Sequence, residues 1–318
     1  MADLAEEGGD VFVYRGGEAP GHITHARIDK SVKVISELAF FRNPNLQSVE
    51  THDGVEKIDN FAFFGCKRLT HIDIRSVKVI EVLGLAGTGL PELDCDNLEM
   101  VESYAFEGCE SLRRITLPSL KVMKRSVFDK TALTDVELPK VEQVTRCAFD
   151  CAPSLRRISI PLKEDLFSPE EGDDEFSSFR NCGNLMTVDL VGGIHKTVSS
   201  LPLECWRNDM IQEINRINVT LPTTPGADKA HTINQWIRSV LRKIEHYKVE
   251  HRKLLKEAAI ILVLAPWKAK LDEKEEEDSL EAKTKEVKIE ADSARKVAQV
   301  TCGADIIIKN VLPFLELE

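Results

Sequence analysis

Basic residues are in deficit. Lys and Arg number 42 against 53 Asp and Glu, for a formal net charge of −11. A nucleic-acid surface needs a basic excess to neutralise phosphates, so DNA and RNA are not expected partners. Long apolar runs are missing too. The longest, Ala258 to Pro266, falls well short of the ~20 residues that span a bilayer. The opening residues, MADLAEEGGD, are acidic and have no apolar centre, unlike a secretory leader. A cytoplasmic or nuclear location without a membrane span is expected.

Catalytic patterns are also lacking. GGIHKT (192–197) has no Gly-Lys pair and so fails as a phosphate loop. Gly16-Gly17 and Pro20-Gly21 do not build G-x-G-x-x-G ahead of a helix. His246 and His251 are five apart, where a zinc pair on one helix face needs four. Cys147 and Cys151 have no second ligand pair. Asn218-Val219-Thr220 is a sequon that has no use without export. No Ser/His/Asp or Cys/His set suggests a nucleophile. The expectation is a protein that is not an enzyme, with no cofactor and no metal.

What the chain does have is a repeat. VEKIDNFAFFGCKRLTHIDI (55–74), LEMVESYAFEGCESLRRITL (98–117) and VEQVTRCAFDCAPSLRRISI (141–160) share one pattern. Phe40, Phe63, Leu85, Phe106, Phe128 and Phe149 follow one another at steps of 23, 22, 21, 22 and 21. Leu46, Leu69, Leu90, Leu112, Leu133 and Leu155 run in parallel with them. One such unit cannot bury its apolar face alone, so the units must stack into a solenoid.

The pattern resembles the BspA-type leucine-rich repeat, in the form common in diatom proteins. The resemblance rests on Ala39-Phe40, Ala62-Phe63, Ala105-Phe106 and Ala148-Phe149, and on Cys66, Cys109 and Cys182 three residues after Phe. It also rests on LPSL (117–120) and continues through IPLKEDLF (160–167), VDLVGGIHKTV (188–198) and LAPWKAKLDEKEEE (264–277) to the closing KNVLPFLELE. It implies an α/β repeat protein, a right-handed leucine-rich-repeat solenoid that acts by interaction rather than catalysis.

The expected organisation has four parts. Residues 1–30 read as a capping hairpin, with VFVY (11–14) and HARID (25–29) as its strands. Residues 31–191 hold about seven repeats, and residues 192–221 form a C-terminal cap. Leu203, Trp206, Met210, Ile214 and Ile217 give that cap a helical spacing. Residues 222–318 hold a long helix with Ile233, Trp236, Val240, Ile244 and Tyr247 on one face. Pro266 should kink or end it. A charged connection, Asp272 to Lys296, and a returning helix, Val297 to Leu317, would complete a helical hairpin.

Eight cysteines are present. Cys66, Cys109 and Cys182 share a repeat position where a small side chain turns inward, and reduced thiols are expected in a cytosolic protein.

Two charge columns stand out. Strand alternation points Glu50, Asp73, Asp94, Thr116, Glu137, Ser159 and Asp189 outward, beside Ser48, His71, Glu92, Arg114, Asp135, Arg157 and Thr187. Glu50, Asp73, Asp94, Glu137 and Asp189 form the candidate contact strip for a basic protein. The insertion SPEEGDDEF (168–176) adds Glu170, Glu171, Asp173 and Asp174 as further candidates. Its spacing does not fit a calcium loop. The second column, Lys33, Glu56, Lys78, Glu99, Lys121, Glu142 and Lys163, alternates in sign. A slip by one coil would set like charges together, so this column should fix register. The leading expectation is a protein-interaction scaffold with an unidentified partner. The alternatives are self-association through the C-terminal helices, surface adhesion, and an enzyme or nucleotide-binding regulator.

Overall fold

The computed structural model describes residues 11–145, 147–167, 178–191, 201 and 203–280, with the side chains of 273–280 left aside. The described strands are two to four residues long and pair in parallel throughout. One array is built from β1 (Phe12–Tyr14), β2 (His25–Ile28), β4 (Ser48–Glu50), β6 (His71–Ile72), β8 (Glu92–Asp94), β10 (Arg114–Thr116), β12 (Asp135–Glu137), β14 (Arg157–Ile160) and β15 (Thr187–Leu190). The other is built from β3 (Val34–Ile35), β5 (Lys57–Ile58), β7 (Val79–Ile80), β9 (Met100–Val101), β11 (Val122–Met123) and β13 (Gln143–Val144). Val144 then bridges to Phe167. The result is a parallel-strand solenoid of about six turns. Pro91 has no N–H at the position where Thr70 and Arg113 donate to the preceding coil, and pairing between β6 and β8 is interrupted there.

Each coil turns at the same place. Leu38, Phe61, Leu83, Tyr104, Ser126 and Cys147 all have φ between 52° and 63°. L-residues disfavour this left-handed region. It is held by hydrogen bonds between turns, such as Phe40 N–H to Ala62 O at 2.7 Å and Phe63 N–H to Gly84 O at 2.9 Å.

The core is a spine. Tyr14 meets Phe40 at 5.1 Å between centroids, and Phe40 stacks on Phe63 at 5.0 Å. After Leu85 the stack resumes through Phe106, Phe128, Phe149 and Phe179 at 5.7, 5.8 and 5.2 Å. All of these side chains are fully buried. The cysteine column explains itself beside them. Cys66, Cys109 and Cys182 point their thiols at the carbonyls of Phe40, Leu85 and Phe149, the spine residues one coil back, at 2.9, 3.2 and 2.7 Å. A small weak donor thus adds a second bond to a buried carbonyl, those of Phe40 and Phe149 already accepting the Asn43 and Ala152 N–H groups.

The N-terminal hairpin is not formed. β1 and β2 pair in parallel, Val13 opposite Arg27, so residues 12–28 wind as a coil of the solenoid. Tyr14 takes the spine position there, and its hydroxyl accepts the Ser36 N–H at 3.3 Å. The sign-alternating column holds from Lys33 to Glu142: the N–H of each residue donates to the carbonyl of the one before, at 2.7–2.9 Å. Lys163 is not its next member. Lys163 N–H turns back to the Pro161 carbonyl at 3.0 Å, Leu166 accepts from Val144 N–H, and Asp165 takes the position instead. Arg238 pairs with Asp165, supplying the positive charge that the column would otherwise lack.

After the last strand, α1 (Glu204–Thr220) buries Met210, Ile214 and Ile217 as the spacing predicts, whereas Leu203 is exposed. A single 3₁₀ turn, Leu221–Thr223, leads into α2 (Gly226–Leu280). Asn218 accepts the Val188 N–H at 2.9 Å, Lys229 donates to Leu185 O at 2.5 Å and Asn234 to Phe167 O at 3.1 Å. The open end of the solenoid is therefore capped by α1 and by the start of α2 together. α2 continues through Pro266, which forgoes one backbone bond. The chain divides into two compact units, residues 1–243 and 244–318. The returning segment 297–317 lies outside the described residues, as does most of the charged connection. Among the described residues, no helix is long and apolar enough to cross a membrane.

Candidate recognition face

The first strand array builds one outward face. Because the pairing is parallel and in register, like positions line up coil on coil, about 4.8 Å apart. Val13, Arg27 and Glu50 pair in one row, with Asp73 at the next repeat position, and Asp94 pairs with Thr116 in the next stretch of the array. Glu137, Ser159 and Asp189 complete it. The neighbouring row runs His25, Ser48, His71, then Glu92 to Arg114, then Asp135, Arg157 and Thr187. The five acids singled out from the sequence are thus brought onto one face. Ser159 is the exception within its row, being buried.

Most of these acids have partners. Arg27 reaches Glu50 at 2.6 Å and Arg157 reaches Asp189 at 2.9 Å, each from the preceding coil. Arg114 reaches back to Glu92 at 3.2 Å and to Asp94 at 3.7 Å, and Thr116 donates to Asp94 at 3.0 Å. Asp73 is gripped by Arg75 two residues on, and that hydrogen bond holds its carboxyl below the usual carboxylate range. Asp135 and Glu137 are both exposed and have no ion pair within 4 Å among the described residues. Across the two rows seven acids are met by four arginines, Arg75 included, so the face stays acidic after pairing. Glu170, Glu171, Asp173 and Asp174 lie outside the described residues.

Two clusters were not picked out from the sequence. At the turns, Phe41 stacks on Phe64 at 5.5 Å, and Phe61 meets both edge-on. The Arg42 guanidinium lies over Phe41 and Phe64 at 5.2 and 5.7 Å. The doubled Phe40-Phe41 and Phe63-Phe64 were the available signal. One ring of each pair enters the spine and the other lies outside it. Farther along, Asp150 is clasped by Arg180 at 2.7 Å and by Asn181 at 3.0 Å. This clasp ties together coils that are 30 residues apart, where the insertion interrupts the repeat. Beside it, burial pushes the Asp129 carboxyl up, with Glu107 and Asp150 adding to the push and Lys130 opposing it. Among the described residues, no group of three His, Cys, Asp or Glu is placed to hold a metal.

Stacked parallel coils of 21–23 residues, a phenylalanine spine and a regular outward strand face define a leucine-rich-repeat solenoid. The chain belongs to the BspA type leucine rich repeat family, which matches in six copies over residues 20–83 and 86–212. No curated protein matches it in sequence. Among the solved structures that are similar, three are described. A leucine-rich repeat protein from Bacteroides ovatus is 18% identical over 57% of this chain and 64% of its own, with a TM-score of 0.33. The pneumococcal vaccine antigen PcpA is 20% identical over 50% and 36%, TM-score 0.33. A leucine rich cell surface protein from Faecalibacterium prausnitzii is 18% identical over 52% and 60%, TM-score 0.24. The chain therefore spans less than two thirds of each of these proteins.

Proposed function

We propose that the chain is a non-catalytic interaction scaffold that presents the first strand array to a basic protein partner. Its repeats are of the form common in diatoms, and its place of action is the cytoplasm. One observation carries the reading: among the described residues Asp135 and Glu137 stand exposed with no ion pair within 4 Å, within longer reach of Arg157, on a face where arginines of adjacent coils already hold Glu50, Asp94 and Asp189. Cations on a partner would meet carboxylates about 4.8 Å apart between coils and about 6.6 Å apart along a strand. Such a contact is steered by charge and weakens as salt rises.

The test is to capture partners from native cell extract with the native chain and with Asp73→Lys/Glu137→Lys, at low and high salt. The native chain should retain a basic protein at low salt only, and the variant should not retain it. Retention by both alike would remove the strand face from consideration.

A further inference from the structure

At the turns of the first coils, aromatic surface lies beside a strip that has no side chains. Phe41 is 41% exposed, and Phe61 and Phe64 are half-buried against it. The next position in each repeat is Arg42, Gly65, Gly87, Gly108 and Lys130 in turn. The N–H of each of the first four donates to the following coil at 2.7–2.9 Å, so the five stack along the axis. A left-handed backbone alone does not demand glycine here, since Arg42 and Lys130 hold φ of 52° and 56° in the same column. The three glycines leave a bare, half-exposed strip with a cation at either end. Four coil steps cover about 19 Å, the length of six residues of extended chain.

Charge decides what fits the strip. Lys130 is held by Glu107 and Asp129, so the free charge lies at the Arg42 end. A Cβ on Gly65 would meet Arg42 Cγ at 3.3 Å, which lays the arginine stem over that glycine. Its guanidinium sits over Phe41 and Phe64 at 5.2 and 5.7 Å. Among the described residues, no carboxylate comes within 4 Å of Arg42, or of Lys67 and Arg68 on the adjoining turn. All three are exposed. By contrast, Arg27, Arg75, Arg114 and Arg157 are each taken by an acid of this chain. An arginine braced on aromatic rings, with its N–H donors uncommitted, is set to receive a carboxylate. The net charge of −11 opposes a long polyanion or an anionic bilayer and favours a short acidic segment.

We infer that this strip docks an extended acidic segment of a partner protein, its carboxylates on Arg42 and Lys67 and an apolar side chain against Phe41, Phe61 and Phe64. The strand-face acids take no part, so this contact and the recognition of a basic partner stand or fall separately.

The test is titration of the full chain into dye-labelled six-residue peptides, each with four Glu and two of Phe, Leu or Trp, read by fluorescence anisotropy. The tightest should bind with a Kd of ~100 µM or below at low salt, and far more weakly at 1 M salt. Exchanging its Glu for Lys, or its apolar residues for Ser, should weaken it by about tenfold or more. Arg42→Glu and Phe41→Ala should each do the same, with an unchanged circular dichroism spectrum. Lys67→Glu, at a fully exposed position, checks the charge independently should Arg42→Glu disturb folding. Gly87→Asn, which the left-handed backbone accepts, should block the strip. Asp73→Lys/Glu137→Lys should bind the peptide no more weakly than the native chain. No peptide bound at ~1 mM, or binding that the Arg42, Lys67 and Gly87 substitutions leave unchanged, would overturn the inference. Tighter binding of phosphatidylserine vesicles or a single-stranded oligonucleotide, lost in the same variants, would overturn the protein segment as occupant.

Discussion

Lys121 reaches back one coil to Glu99, its Nζ 2.7 Å from Oε2, while its backbone N–H donates to the Glu99 carbonyl at 2.9 Å. Side chain and main chain thus record the same register. The next pair along, Lys78 and Glu56, repeats it at 3.5 Å. The Lys121 hydrogen bond lowers the Glu99 pKa, and the same bond raises that of Lys121. Glu99's contribution is therefore present above about pH 4.5 and lost as pH falls through its lowered folded value. Lys121's is present below about pH 10.5 and lost as pH rises through its raised one.

Both side chains are solvated, so the effect of breaking the pair is modest. Lys121→Glu should lower Tm by roughly 1–2 °C at neutral pH in low salt, and by nothing measurable in 1 M salt. Thermal melts at two ionic strengths check this. An undiminished loss in high salt would mean that Lys121 acts through packing of its stem.

The spine is where stability is concentrated. Phe106→Ala removes a fully buried ring that stacks on Phe128 at 5.7 Å. It should cost about 3–5 kcal/mol in denaturant unfolding. A loss below about 1 kcal/mol would show that the coils collapse to fill the space.

The spine and both charge columns were legible because a step of 21–23 residues imposes one environment on each position. The N-terminal coil was not. Gly16-Gly17 and Pro20-Gly21 carry the composition of a hairpin turn, and composition does not distinguish a reversal from a coil that returns in parallel. Lys163 was misplaced because counting by period fails across Pro161, after which Leu166 and Phe167 rejoin the stack. The five strip acids lie at outward strand-array positions. Their pairing was hidden, because Arg27–Glu50 and Arg157–Asp189 depend on which rotamers span a coil step. The Asp150–Arg180 clasp joins residues on either side of an insertion, where no periodicity points.

The inward cysteines should be inert. Burial pushes the Cys66 and Cys182 thiols up to about 12, and drives Cys95 and Cys109 upward as well. At pH 8 they hold almost no thiolate. Iodoacetamide followed by peptide mass spectrometry should mark the exposed Cys205 within minutes and these four only after denaturation. Native-state labelling of Cys66 or Cys182 would mean that the coils open locally.

Asp129 is a carboxylate that the fold tolerates at a cost. Its Oδ1 is buried without a hydrogen-bond partner among the described residues. Its raised pKa means that ionisation is disfavoured in the folded state, so charge there lowers stability at neutral pH. Asp129→Asn should raise Tm at pH 7 by on the order of 1–3 °C. The gain should vanish as pH falls below the ordinary carboxylate value of 3.8, where the native side chain is neutral too. A gain independent of pH would place the effect in geometry rather than charge.

The central claim is that the outward strand face recognises a basic protein, and Glu137 tests it most directly. It pairs in register with the uncharged Ser159, and Arg157 is the cation within reach of it. Reversing Asp73 also gives up its pair with Arg75, so the variant's stability has to be matched to the native chain's before affinities are compared. The measurement is the dissociation constant of a captured partner for the native chain and for Asp73→Lys/Glu137→Lys, by titration calorimetry at low salt, with both melting alike. Affinity should be weaker by about 100-fold or more in the variant. Equal affinity in the two proteins would contradict it.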